Sequence, residues 1–139
     1  MNIIIGIIII ILLVVGAYYL FGNEQPTVEN GLNQSGGTEE FAVVYTDSGF
    51  SPRSVTIDRG DTVVFTNQSS REMWVASAMH PTHTVYSGTP LSQHCPDTAN
   101  DAFDQCEARD SFRFTFDKAG TWNYHNHLDP SNTGSVVVQ

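Results

Sequence analysis

Not all of the 139 residues can belong to one globular unit, because residues 3 to 21 are almost wholly apolar and residues 22 to 40 are polar and Gly-rich. The formal net charge of −9 lies entirely after residue 22. With 6 Lys and Arg against 15 Asp and Glu, nucleic acid is excluded as a partner, since phosphate contacts need cations. The acidic balance fits a soluble, exported domain and attracts metal ions.

The run from Ile3 to Phe21 contains no charge and is rich in β-branched residues on every side. It is long enough to cross a bilayer core as a helix, and it has no polar face for a soluble helix. Tyr18, Tyr19 and Phe21 suit the far interface. A cleaved signal peptide is the rival reading, but such a segment follows a basic stretch and ends in small residues, and neither is present. Residues 1–22 are therefore expected to be an uncleaved membrane anchor. Glu24 and Glu29 follow it, which favours the rest of the chain on the extracellular or periplasmic side. Residues 23–40 read as a flexible linker.

From Phe41 the pattern changes to short β runs between turn signals. Phe41–Tyr45, Ser54–Ile57, Thr62–Asn67, Phe112–Phe116, Thr121–His125 and Gly134–Val138 are strand candidates, with Phe50-Ser51-Pro52 a break and Arg59-Gly60-Asp61 and Asp117–Gly120 turns. Short strands at this spacing, with no helical period, predict an all-β sandwich or barrel over residues 41–139. Phe112, Phe114 and Phe116 share one strand face, as do Trp122 and Tyr124, and these aromatics are expected in the core.

Gly88 to Asp110 lacks strand alternation and carries both cysteines. Asp97 to Gln105 is expected to form a short helix capped by Asp97 or Thr98. In an oxidising space Cys95 and Cys106 should pair, gaining roughly 2 to 3 kcal/mol by the chain-entropy argument. The rival reading makes them thiolate metal ligands beside His94, which needs reducing conditions.

The sharpest chemical signal is histidine. Four of the five lie in two short runs, His80-Pro81-Thr82-His83 and His125-Asn126-His127. His125 and His127, two apart on a strand, point to one face, whereas His80 and His83 lie on a turn or irregular loop. One pair from each makes a four-nitrogen metal site. Such a set suits Cu(II) in tetragonal geometry and Zn(II) as a tetrahedron; copper's higher place in the affinity series favours copper, with zinc the alternative. Met73 and Met79 are nearby soft donors, though packing is their usual use. Glu72 and Asp129 are candidate acceptors for the ligand N–H groups. His94 is read as a surface residue. Because imidazole must be neutral to bind metal, affinity should fall below about pH 6.

Residues 41 to 139 resemble the cupredoxins, the copper-binding Greek-key β-sandwiches. The resemblance rests on Phe50-Ser51-Pro52, Val55–Ile57 and Arg59–Asn67 early in the domain. Gly120–Tyr124 and the Val-rich run after Gly134 carry it at the end. Blue-copper members place a Cys shortly after the counterpart of Tyr124; here that place looks like Asn126. Their later His and Met have no counterparts in Leu128 to Ser135. The resemblance thus implies the frame and copper, without a blue-copper centre, whose properties come from the Cu–Cys bond. The two His runs are also similar to the His-Pro-x-His and His-Cys-His runs of multicopper oxidase domains. There the outer His residues face a copper cluster shared between domains. By that likeness His83, His125 and His127 form a partial cluster site, yet Val85 stands where a further His is expected. A complete oxidase in one domain is not expected. If Trp122 and Tyr124 face the core, His125 and His127 alternate away from it, which puts the site at the rim. It would there be open to solvent, a second protomer or a redox partner.

The resulting expectation is a membrane-anchored copper-binding protein for storage, delivery or sensing of copper, more a binding protein than an enzyme. A small copper enzyme acting on oxygen species, and a structural or interaction module on a cupredoxin frame, are the alternatives.

Overall fold

The computed structural model describes residues 37–139. The expected anchor at residues 1–22 and nearly all of the linker lie outside them. Eight strands run β1 (Glu40–Thr46), β2 (Gly49–Ser51), β3 (Ser54–Ile57), β4 (Thr62–Asn67), β5 (Val75–Ser77), β6 (Ser111–Thr115), β7 (Gly120–Asn126) and β8 (Asp129–Val138). A single helical turn, α1 (Leu91–His94), lies between β5 and β6. No helix among the described residues is long and apolar enough to cross a membrane.

The strands form two four-stranded sheets, ordered β2-β1-β4-β6 and β3-β8-β7-β5. Each is mixed: β1 runs parallel to β4 and β3 parallel to β8, and the other neighbours are antiparallel. The all-β expectation holds, and its six strand candidates reappear with ends shifted by a few residues. Two strands go beyond it. Phe50-Ser51, read as a break, belongs to β2, which closes a tight hairpin on β1 through Gly49 in a left-handed conformation (φ 104°). β5 has three residues, all buried, so it offers no alternation to read.

The core between the sheets is aromatic. Tyr45, Phe50, Phe65, Phe103, Phe114, Phe116 and Tyr124 are all buried, and their rings meet at tilted and edge-on angles. Phe112 and Trp122 pack against this cluster from its margin. The ring of Tyr124 crosses directly over Gly134 on β8, where a Cβ would lie 2.3 Å from its Cζ. Only glycine permits that approach.

The expected helix at Asp97–Gln105 is absent. The chain there is irregular, and Ala102 to Gln105 are buried. Phe103 enters the aromatic core, and the segment behind it pairs with β5. The Ser77 amide donates to the Phe103 carbonyl at 2.8 Å, and the Gln105 amide to the Val75 carbonyl at 2.8 Å. Burial of one large ring, about 2 to 3 kcal/mol, outweighs the weak local preference for helix in so short a segment. Cys95 and Cys106 form the expected disulfide, which closes this loop.

Candidate metal centre

His125 and His127 reach the site from the end of β7. Tyr124 faces the core, so His125 points out of the opposite face of the sheet, as the alternation argument required. Its ring is nonetheless buried, because the loop after β5 lies over it. That loop is fixed to β7 by the Ala78 amide, which donates to the Asn123 carbonyl at 2.9 Å. It then closes on itself: the amides of Thr82 and His83 both donate to the Met79 carbonyl, at 2.9 and 2.8 Å, and the Val85 amide to that of Ala78 at 2.9 Å. His83 adopts a left-handed backbone conformation (φ 56°), costing about 1–2 kcal/mol. The hydroxyl of Ser77 donates to the His83 carbonyl at 2.9 Å and helps to hold it there.

These two segments bring all four histidines together. His83 Nε2 lies 2.9 Å from His127 Nδ1, and His80 Nδ1 lies 3.3 Å from His125 Nε2. One ring nitrogen from each falls within 4.8 Å of the others. Four nitrogens at about 2.0–2.1 Å from one ion stand about 2.9 Å apart when adjacent in a square and about 3.3 Å apart in a tetrahedron. The donor set therefore fits a single copper or zinc ion. His83 and His125 are buried, His127 is half-buried and His80 is exposed. The cluster opens to solvent through His80, beside a cleft of about 610 Å³ whose lining includes Arg53, Met79, Asn123 and Ser135.

Asp104 organises the buried side. Its Oδ2 lies 2.5 Å from His83 Nδ1, and because a carboxylate only accepts, Nδ1 carries the proton. That fixes the tautomer in which His83 Nε2 presents its lone pair to the cluster. Asp104 Oδ2 also meets His94 Nε2 at 3.2 Å. Its Oδ1 accepts from Trp74 Nε1 at 2.8 Å and from the Cys106 amide at 2.9 Å. Burial works to raise the Asp104 pKa, but hydrogen bonds from His83, Trp74, the Cys106 amide and His94 outweigh it and hold the carboxyl below its usual range. The indole of Trp74 also packs on the His127 ring, with centroids 4.3 Å apart.

Burial lowers the His125 pKa to about 4, reinforced by His83, His80 and His127. Burial and the same neighbours His83 and His80 lower that of His127. Resisting protonation, His125 and His127 are neutral nitrogen donors, ready for a cation.

Several expected roles change. Glu72 and Asp129 do not support the ligands: Asp129 pairs with Arg71, and Glu72 meets the site region only through its carbonyl. His94 is not a surface residue; its side chain is 5% exposed and bonded to Asp104. Met73 is fully buried in the core and Met79 is exposed. Asp104 and Trp74 carried no signal in the sequence, since Asp104 meets His83 across 21 residues through an irregular loop. Asn126 is buried, and its side-chain amide bonds to backbone. Its Oδ1 accepts from the amides of Trp74 and Leu128 at 3.0 and 3.2 Å, and its Nδ2 donates to the Glu72 carbonyl at 3.0 Å.

Solved structures share this architecture. A reduced amicyanin variant matches with a TM-score of 0.52 and 18% identity, covering 72% of this chain and 82% of its own. Oxidised plastocyanin from Dryopteris crassirhizoma matches with a TM-score of 0.51 and 17% identity over 71% of this chain and 100% of its own. A mutant fern plastocyanin gives 0.51 and 18% over the same shares. No family model matches the chain, and no curated protein does. The described residues have the cupredoxin fold, and they carry a cluster of four histidines that could hold a metal ion.

Proposed function

We propose that the domain binds one copper ion through His80, His83, His125 and His127, and that it does so outside the cytoplasm, held to a membrane by residues 1–22. The observation that carries this reading is the convergence of four ring nitrogens within 4.8 Å, with His83 oriented by Asp104. All-imidazole ligation suits Cu(II). With no thiolate, the site lacks the electronic path that makes blue-copper centres fast outer-sphere carriers. Storage, delivery or sensing of copper therefore fits better than electron transfer. The disulfide supports an oxidising compartment and hence the proposed side of the membrane. Zinc is the competing ion.

The test is equilibrium titration of the full-length chain with Cu(II), alongside His83→Ala and His127→Ala. Each variant should bind at least tenfold more weakly. Unchanged affinity in both would refute the assignment. A second reading, a small copper enzyme acting on oxygen species, draws on the cleft beside His80 and His125, which leaves room for a small molecule at the open side. Turnover of superoxide or peroxide by the copper-loaded chain supports it; a loaded chain without turnover counts against it.

A further inference from the structure

A second group of donors lies on the other side of Asp104. One ring nitrogen of His94, Cys95 Sγ, Cys106 Sγ and an Asp104 oxygen all fall within 4.8 Å of one another. In the present state the two sulfurs are bonded to each other and are poor ligands. Their Cα atoms are 5.4 Å apart, and the loop that joins them is pinned at both ends. Before it, the Leu91 amide donates to the Thr82 carbonyl at 2.9 Å, and α1 carries His94. Behind it, Phe103 is locked into the core and Gln105 is bonded to β5.

The His94 ring is set for ligation. Its Nδ1 lies 3.0 Å from the Thr89 carbonyl, an obligate acceptor to which it donates, and that bond fixes the ring. This is the arrangement in which metal-binding histidines are usually found, with the second nitrogen donating to a backbone carbonyl. Nε2 faces the carboxylate of Asp104 at 3.2 Å, so a cation bound at Nε2 would sit beside that negative charge.

We propose that the Cys95–Cys106 disulfide masks a second metal site, and that two-electron reduction opens it for Cu(I), bound by His94 Nε2 and the two thiolates. A dithiol gives the disulfide two electrons and two protons and is itself oxidised to a disulfide; a phosphine gives the two electrons, water gives the two protons and the oxygen of the phosphine oxide, and either way two thiols result. Binding of Cu(I) then releases the two thiol protons. Two sulfurs at about 2.3 Å from one ion stand somewhat under 4 Å apart, a modest parting that the Cα separation accommodates. Thiolates select the soft monovalent ion, and the four-imidazole cluster suits the divalent one. The domain would then hold copper at different places in its two oxidation states. Asp104 stays with His83 and supplies negative charge between the two.

The experiment is anaerobic titration of the full-length chain with Cu(I) against a competing chelator, before and after reduction by a phosphine, which adds no competing thiol. Reduction should add one equivalent of tightly bound Cu(I) and a near-ultraviolet thiolate-to-copper absorption. The four-histidine cluster cannot produce that absorption, so the readout is independent of whether that cluster binds. The Cys95→Ser/Cys106→Ser variant should lose both the extra equivalent and the band. In the reduced chain, His94→Ala should weaken the extra equivalent at least tenfold. The proposal is overturned if reduction adds neither equivalent nor band. It is equally overturned if His94→Ala binds as tightly as the parent, which would mean that two free thiols bind copper without a built site.

Discussion

Asn126 holds three backbone groups, at Glu72, Trp74 and Leu128, with one side-chain amide. Asn126→Cys would leave the amides of Trp74 and Leu128 and the carbonyl of Glu72 without this partner. A loss on the order of 2–3 kcal/mol is expected, read by chemical denaturation. Because the residue faces backbone and not the imidazole cluster, the copper-loaded variant should show no intense thiolate absorption in the visible; a blue protein would contradict this placement. Asp104 acts differently. Asp104→Asn keeps the size but removes the charge that fixes the proton on His83 Nδ1. Cu(II) affinity should fall by about 10- to 100-fold, as for other residues that orient a metal-binding histidine. Parental affinity would mean that His83 needs no such support.

His125 adds a pH prediction at the same scale. Its folded pKa of about 4 lies below the ordinary histidine value, so the unfolded chain takes up its proton first as pH falls. The contribution is fully present above about pH 6.5 and is lost progressively towards pH 4. The metal-free chain should therefore lose on the order of 2 kcal/mol between pH 7 and pH 4.5, measured by denaturant titration. His125→Gln should flatten that profile, and an equally steep profile in the variant would assign the effect elsewhere. For metal binding, protons compete for His125 only near pH 4, a lower onset for this ligand than the ordinary histidine value suggests.

Among the elements, β7 and β8 carry the largest constraint. Gly134→Ala places a methyl group against the Tyr124 ring and 2.8 Å from the Arg53 carbonyl. The ring must leave its place in the aromatic core, and it adjoins His125. A destabilisation of about 1–3 kcal/mol is expected, with weakened copper binding as a secondary effect, both read on the purified variant. Wild-type stability would mean that the sheet yields more easily than its packing suggests. The same elements show what a sequence discloses. β4, β6 and β7 announce themselves by alternation, and the two His pairs by spacing. β5 does not, being three residues long and buried on both faces. The segment Phe103–Gln105 does not either, because its pairing with β5 is made by a loop with no period of its own. Asp104 is positioned by that pairing, so the support of His83 stayed illegible although His83 itself was plain. The burial of His94 is hidden for the same reason: an isolated histidine in an acidic loop has the sequence of a solvated residue, and only the inward fold of the loop buries it.

At the scale of the molecule, one sandwich presents its aromatic core inward and its histidines on the outer face of one sheet, beneath a loop. Separating the two keeps polar rings out of the apolar interior. It also lets His80 and the cleft beside it communicate with solvent. The disulfide loop joins the two parts, sending Phe103 into the core and Asp104 to the histidine cluster. This economy explains how about a hundred residues gather four imidazoles at one place on a β-sandwich. The most direct test of the central claim is the electron paramagnetic resonance spectrum of the full-length chain loaded with Cu(II). The account predicts one copper per chain, a tetragonal spectrum with coupling to imidazole nitrogens, and loss of that signal in His83→Ala. A spectrum with the narrow hyperfine splitting of a thiolate-bound copper, or one unchanged by His83→Ala, would contradict it.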